Sequence, residues 1–180
     1  MNAVNPTQPV IRHYPGTLSF YHPNASGNGS AVRFELKPAI GNREGCFFME
    51  LASQRTSVTR GADGTRQAAT FDWQNKLTVK LGVTDICSLM LVLRGVQAAA
   101  GNGKGLYHDT ADTSTVIRFH HGGDLNGYGL EVSRKAKRDG TEAVRIRLVL
   151  TESEALGLSM IFEQAMMLLV YGFLAPEPAA

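Results

Sequence analysis

Three stretches of this chain alternate strictly between apolar and polar residues, and that pattern limits its fold more than anything else in the sequence. Val32, Phe34 and Leu36 alternate with Arg33, Glu35 and Lys37; Leu77, Val79 and Leu81 with Lys76, Thr78 and Lys80; Val144, Ile146, Leu148 and Leu150 oppose Arg145 and Arg147. A period of two places the two sets on opposite faces of a strand, so each stretch reads as a half-buried antiparallel strand with a largely basic outer side. Faces of that kind need an apolar cover, which the rest of the chain must supply.

Further strands are expected at Leu18 to His22, Gly45 to Ser53, Tyr107, Val116 to His121 and Tyr128 to Lys135. The run from Gly45 is apolar on both faces, so it should be covered on one side and offer aromatics on the other. Asp63-Gly64, among Arg55, Arg60 and Arg66, and Asp139-Gly140 are two-residue turn signals that predict hairpins. Thr84 is expected to cap a helix on which Val83, Ile86, Leu89, Met90 and Leu93 recur at helical spacing, ending at Ala98 to Gly101. Thr151-Glu152-Ser153-Glu154 matches a capping box and predicts a second helix to about Tyr171. Its apolar residues wrap most of the circumference, so a partner subunit is the expected cover, with Leu158, Ile161, Phe162, Met166, Leu168 and Leu169 at the interface. Strands, helix, strands, helix is an α+β plan. Residues 1–16, polar and aperiodic, read as a flexible arm, 17–173 as one domain, and 174–180 as a tail.

Lys and Arg number 18 against 16 acidic residues, so an anion-binding surface must come from local segregation of charge. Cys46 and Cys87 sit in apolar runs without the spacing of a zinc site or disulfide framework, and both are expected to be buried free thiols in a reducing compartment. No secretory signal and no membrane span are read, which predicts a cytoplasmic protein. His108-Asp109 and His120-His121 invite a metal or acid–base reading, but adjacent strand residues point to opposite sides and no nucleophile has a base beside it. The loop around Lys104 lacks Walker spacing, and the acidic residues are scattered where a nuclease would cluster them. No metal, no cofactor and no catalysis are expected.

Phe71-Asp72-Trp73-Gln74-Asn75-Lys76, its basic strand, and Gly82-Val83-Thr84-Asp85-Ile86 together resemble the Whirly family of single-stranded-DNA-binding proteins. Tyr107-His108-Asp109 is similar to that family's segment after the first helix, and Leu148 to Phe173 to its last strand, Thr cap and closing apolar helix. The likeness covers roughly residues 17–173. It implies two antiparallel four-stranded sheets packed at a steep angle with two helices, a tetramer assembled through the helices, and nucleic acid cradled by strands of adjacent subunits. Plant members carry Lys-Gly-Lys-Ala-Ala-Leu in the first hairpin; here Asn28-Gly29-Ser30-Ala31-Val32-Arg33 stands there without either lysine, as in a divergent bacterial or phage member.

Gripping single strands without reading sequence takes cations along the backbone and flat rings for unstacked bases. The candidate cations are Arg33, Lys76, Lys80, Arg118, Arg134, Lys135, Arg145 and Arg147, and the candidate rings are Tyr21, Phe47, Trp73 and Tyr128. The expected function is sequence-independent single-stranded DNA binding as a homo-oligomer, in replication, recombination, repair or transcription, at the nucleoid if the protein is bacterial. RNA binding on the same fold and a structural oligomer with a protein partner are the alternatives.

Overall fold

The computed structural model describes residues 16–60, 64–123, 126–138 and 142–172. The expected arm, apart from Gly16, the tail, and Asp63, Asp139 and Gly140 of the two turn signals lie outside the described residues. The elements run β1 (Thr17–His22), β2 (Ser30–Lys37), β3 (Cys46–Thr56), β4 (Thr59–Arg60), β5 (Arg66–Gln67), β6 (Thr70–Phe71), β7 (Leu77–Leu81), α1 (Val83–Leu93), a short 3-10 turn (Ala100–Gly103), β8 (Leu106–Asp109), β9 (Thr113–His121), β10 (Tyr128–Ala136), β11 (Val144–Leu150) and α2 (Glu152–Tyr171). Each expected strand is present.

The second sheet has the expected four strands, in the order β11-β10-β9-β8, all antiparallel. The first has five where four were expected. The extra strand arises because β7 pairs with Phe47 to Leu51 of β3, while β6 pairs with Gln54 and Thr56 of the same strand. Between them the Asp72 carboxylate accepts from the Asn75 backbone at 3.3 Å and its Nδ2 at 2.7 Å, an Asx-type turn that lifts residues 73–76 off the ladder, while the Asp72 N–H still donates to the Ser53 carbonyl at 2.8 Å. β4 and β5 form a separate two-stranded ribbon.

The alternating apolar residues point inward as the pattern requires, except Val144 at the start of β11, which is exposed. Val32, Phe34, Phe47, Met49, Leu51, Val79 and Leu81 of the first sheet join Ile117, Leu130, Val132, Ile146 and Leu148 of the second in one core with α1 and α2. Two side chains also bridge the sheets. Ser30 Oγ donates to the Arg147 carbonyl at 2.6 Å, and Arg134 Nη2 donates to the Thr78 carbonyl at 2.6 Å.

α1 begins and ends earlier than expected. Its N-cap is Gly82, not Thr84, and the Asp85 carboxylate accepts from the Gly82 N–H at 2.9 Å. Leu93 is its last residue because Gly95 takes φ +68, while the Arg94, Gly95 and Val96 N–H groups return to the Met90, Val92 and Leu91 carbonyls. α2 has the expected capping box: Thr151 N donates to Glu154 Oε2 at 2.8 Å, and Glu154 N to Thr151 Oγ1 at 3.3 Å.

Only one stripe of α2, Ala155, Leu158, Phe162, Ala165 and Leu169, is fully buried, at the three- and four-residue spacing of a single helix face. Leu158, Phe162 and Leu169 are therefore core residues of their own domain and not the interface residues the sequence suggested; Phe162 meets Phe34 and Phe47 edge-on at 5.7 and 5.1 Å. Met166 and Leu168 are half-buried and Ile161 is exposed. The outward apolar face consists of Leu156, Met160, Ile161, Met167, Val170 and Tyr171. By length and hydropathy α2 could cross a membrane, a test that a core helix also passes. Its end is held by backbone: Ala39 N donates to the Leu168 carbonyl and Gly45 N to the Leu169 carbonyl, both at 2.9 Å. A Cβ at Gly45 would lie 2.7 Å from Leu169 Cα, so that contact requires glycine. Cys46 is buried, which pushes its thiol pKa up, whereas Cys87 is exposed on α1, contrary to expectation.

Candidate nucleic-acid interface

Strand pairing sets which side chains share the outer face of the first sheet. Ser19, Arg33, Glu50 and Thr78 lie in one row across β1, β2, β3 and β7; Thr17, Glu35, Phe48 and Lys80 form a neighbouring row, and Tyr21, Ala31 and Ala52 the one on the other side. Glu50 is the centre of the arrangement. Its carboxylate accepts from Arg33 Nε at 2.6 Å and pairs with Lys76 Nζ at 2.7 Å, with the Thr78 hydroxyl at 3.4 Å. Burial disfavours its charge, but the hydrogen bonds and charges of Lys76 and Arg33 outweigh burial and hold the carboxyl below its usual range.

Glu50 thereby orients Arg33, whose guanidinium carbon sits 4.3 Å from the centroid of the Trp73 ring. Trp73 meets Tyr21 edge-on at 6.4 Å, and Tyr21 lies 5.5 Å from Phe71. These three rings line an open groove of about 660 Å³ whose other walls include Pro23, Val58 and Arg66. Tyr21 is 54% exposed, and Lys80 projects into solvent farther along the sheet with no ion pair among the described residues. Flat apolar rings beside oriented cations can take an unstacked base and its phosphate together.

Of the sequence candidates, Tyr21, Arg33, Trp73, Lys76 and Lys80 therefore share one face. Three others are corrected. Phe47 points inward, 1% exposed; the ring offered on the outer side of β3 is Phe48, one residue along, in register with Glu35 and Lys80. Tyr128 is 7% exposed, stacked on Phe119 at 5.7 Å and 4.4 Å from the His121 ring, and burial with the nearby Glu152 charge raises its phenol pKa. Arg134 has the inward parity of Val132 and donates to Thr115 Oγ1 at 2.9 Å and to Thr78, so it ties the sheets together.

Arg118, Lys135, Arg145 and Arg147 lie on the outer face of the second sheet. Glu131 takes Arg118 at 2.8 Å and Arg145 at 3.6 Å, while Lys135 and Arg147 are exposed without an ion pair among the described residues. The histidines make separate pairs, His108 with Asp85 at 3.1 Å and His121 with Glu152 at 2.9 Å. Among the described residues no cluster of three His, Cys, Asp or Glu side chains could hold a metal ion. Sequence reasoning missed Phe71, Glu50 and Arg66 as parts of the face. Phe71 lay inside the quoted motif, but nothing local marks a buried glutamate as an organiser.

No protein-family model matches the chain, and no curated protein matches it in sequence. Its fold is present in solved structures. WHY1 from Arabidopsis thaliana superposes with a TM-score of 0.68 at 16% identity, over 88% of this chain and 86% of that one. WHY3 from Arabidopsis thaliana gives 0.66 at 17% identity over 88% and 90%. The plant transcriptional regulator PBF-2 gives 0.62 at 19% identity over 86% and 81%. The fold is that of the Whirly proteins, as the sequence resemblance implied.

Proposed function

We propose that this chain binds single-stranded DNA, without strong sequence preference and without catalysing a reaction. The carrying observation is the groove in which Tyr21, Phe71 and Trp73 stand beside Arg33, on a sheet face that also bears Lys76 and Lys80. Rings at such a site accept any base, because every base has a π-face, while the cations follow the backbone.

The working unit in this reading is a homo-oligomer, a tetramer by analogy with the family resemblance, assembled through the outward face of α2. Leu156, Met160, Met167, Val170 and Tyr171 are each at least half exposed there, a contiguous apolar surface of the kind that monomers seldom leave open. Arg147 and Lys135 of the second sheet, exposed and without an ion pair among the described residues, are the further cations open to a strand shared between subunits. The process served is the covering of exposed single strands in replication, recombination, repair or transcription.

Fluorescence anisotropy with a labelled single strand of roughly thirty nucleotides, longer than a single fold occupies, tests the reading against duplex and RNA of the same sequence at two salt concentrations. Tight, salt-weakened binding that favours single-stranded DNA is expected. Preference for RNA would move the ligand and keep the site. Absence of binding to all three would leave a protein partner as the occupant.

A further inference from the structure

The β4–β5 ribbon is a basic element that the site described above leaves almost unused. Its pairing sets Thr59 against Gln67 and Arg60 against Arg66. Directly opposed residues share a face with Cβ atoms about 5 Å apart, so two like charges leave the ribbon on the same side, an arrangement that destabilises a strand pair. Strands of two residues have little else to offset that repulsion. Both arginines are exposed, and neither has an ion pair among the described residues. From Arg55 to Gln67 the chain carries three arginines and one acid, Asp63, which lies outside the described residues. Arg66 also lines the aromatic groove beside Tyr21, Phe71 and Trp73.

A bare pair of like charges, one of them lining an apolar groove, becomes favourable when an anion sits between them, and the planar forks of arginine suit the oxygens of a phosphate. We infer that Arg60 and Arg66 form a clip for the phosphodiester backbone of a single strand, holding the phosphate that follows or precedes a base seated in the groove. The clip would extend the nucleic-acid path off the first sheet and onto the ribbon. This inference rests on the reading of the groove as a base-binding site.

The test uses the full chain, an oligothymidylate of roughly thirty nucleotides, and the double variant R60Q/R66Q. Affinity is expected to fall about tenfold, the loss of charge-assisted hydrogen bonds, and the salt slope to flatten by about 0.7 to 1.4, equivalent to one or two single-strand phosphates. R60K/R66K, which keeps the charge, should restore most of the slope. R43Q/R138Q removes the same charge from Arg43, in the β2–β3 connection, and from Arg138, past the end of β10 beside Asp112; it should leave the slope as it is. If wild type binds and R60Q/R66Q binds with an unchanged slope, or the R43Q/R138Q control loses as much, the clip is wrong and the groove reading stands. If wild type binds no oligonucleotide, both fall together.

Discussion

The two sheets alternate apolar and basic residues in the same way, yet their outer faces differ in kind. On the first, Arg33 is drawn onto Trp73 by a buried glutamate, Tyr21 and Phe71 flank it, and the face opens into a groove. On the second, Arg118 and Arg145 share Glu131, and the aromatic residues of β9 and β10, Phe119 and Tyr128, point into the core. Alternation shows which residues leave the core. Whether the departing charges form a site depends on what stands between them: the first sheet sets Arg33 over Trp73 beside Tyr21 and Phe71, whereas the exposed tyrosine of the second, Tyr107, stands on its edge strand β8.

The largest expected effect tests that contrast directly. With each base stack worth about 1 to 3 kcal/mol, Y21A/W73A should weaken single-strand binding by roughly a hundredfold or more while leaving the salt slope in place. R145Q/R147Q on the second sheet should cost roughly tenfold or less and flatten the slope by about 0.7 for each phosphate lost. Isothermal titration of both variants at two salt concentrations ranks them. A greater loss from the arginine pair would invert the comparison and put the main path on the second sheet.

Arg134 sharpens the line between inward and outward cations. Replacing it with Met removes hydrogen bonds to Thr115 and Thr78 and leaves the Thr78 carbonyl without that donor, a cost of about 1 to 3 kcal/mol in unfolding free energy. Urea denaturation should register the loss, with affinity per folded molecule unchanged. Full stability together with weakened binding would return Arg134 to the nucleic-acid path.

Most of the frame was legible because periodicity and caps are local. The Thr151–Glu154 box, the β11 limits and the inward set of β2 are written within a few residues of one another. What was not legible depends on distant chain. Phe162 and Leu169 read as excess apolar surface until the sheets are folded beneath them, and the Leu168 and Leu169 carbonyls are taken by a loop more than a hundred residues earlier in the chain. Phe47 was misplaced for another reason. β3 is apolar on both sides, so composition could not say which parity faces in, and only its register with Val32, Phe34 and Leu81 decides.

The smallest expected effect concerns Glu50, and its sign separates two accounts of the first face. As a plain negative charge among cations, Glu50 would repel phosphate, and E50Q would bind single strands more tightly. As the group that holds Arg33 over Trp73 and fixes Lys76, its loss should free both cations and weaken binding modestly, by a few-fold. The carboxyl titrates below its ordinary value of 4.5 in the folded chain, so its ion pairs contribute stability that is present above that pH and lost as pH falls through the depressed folded value. Wild type should therefore lose more stability than E50Q between pH 5 and pH 3, read from urea midpoints at each pH, with the two curves parallel above pH 5. Parallel curves throughout, or tighter binding by E50Q, would make Glu50 a bystander and leave the orientation of Arg33 to the Trp73 ring alone.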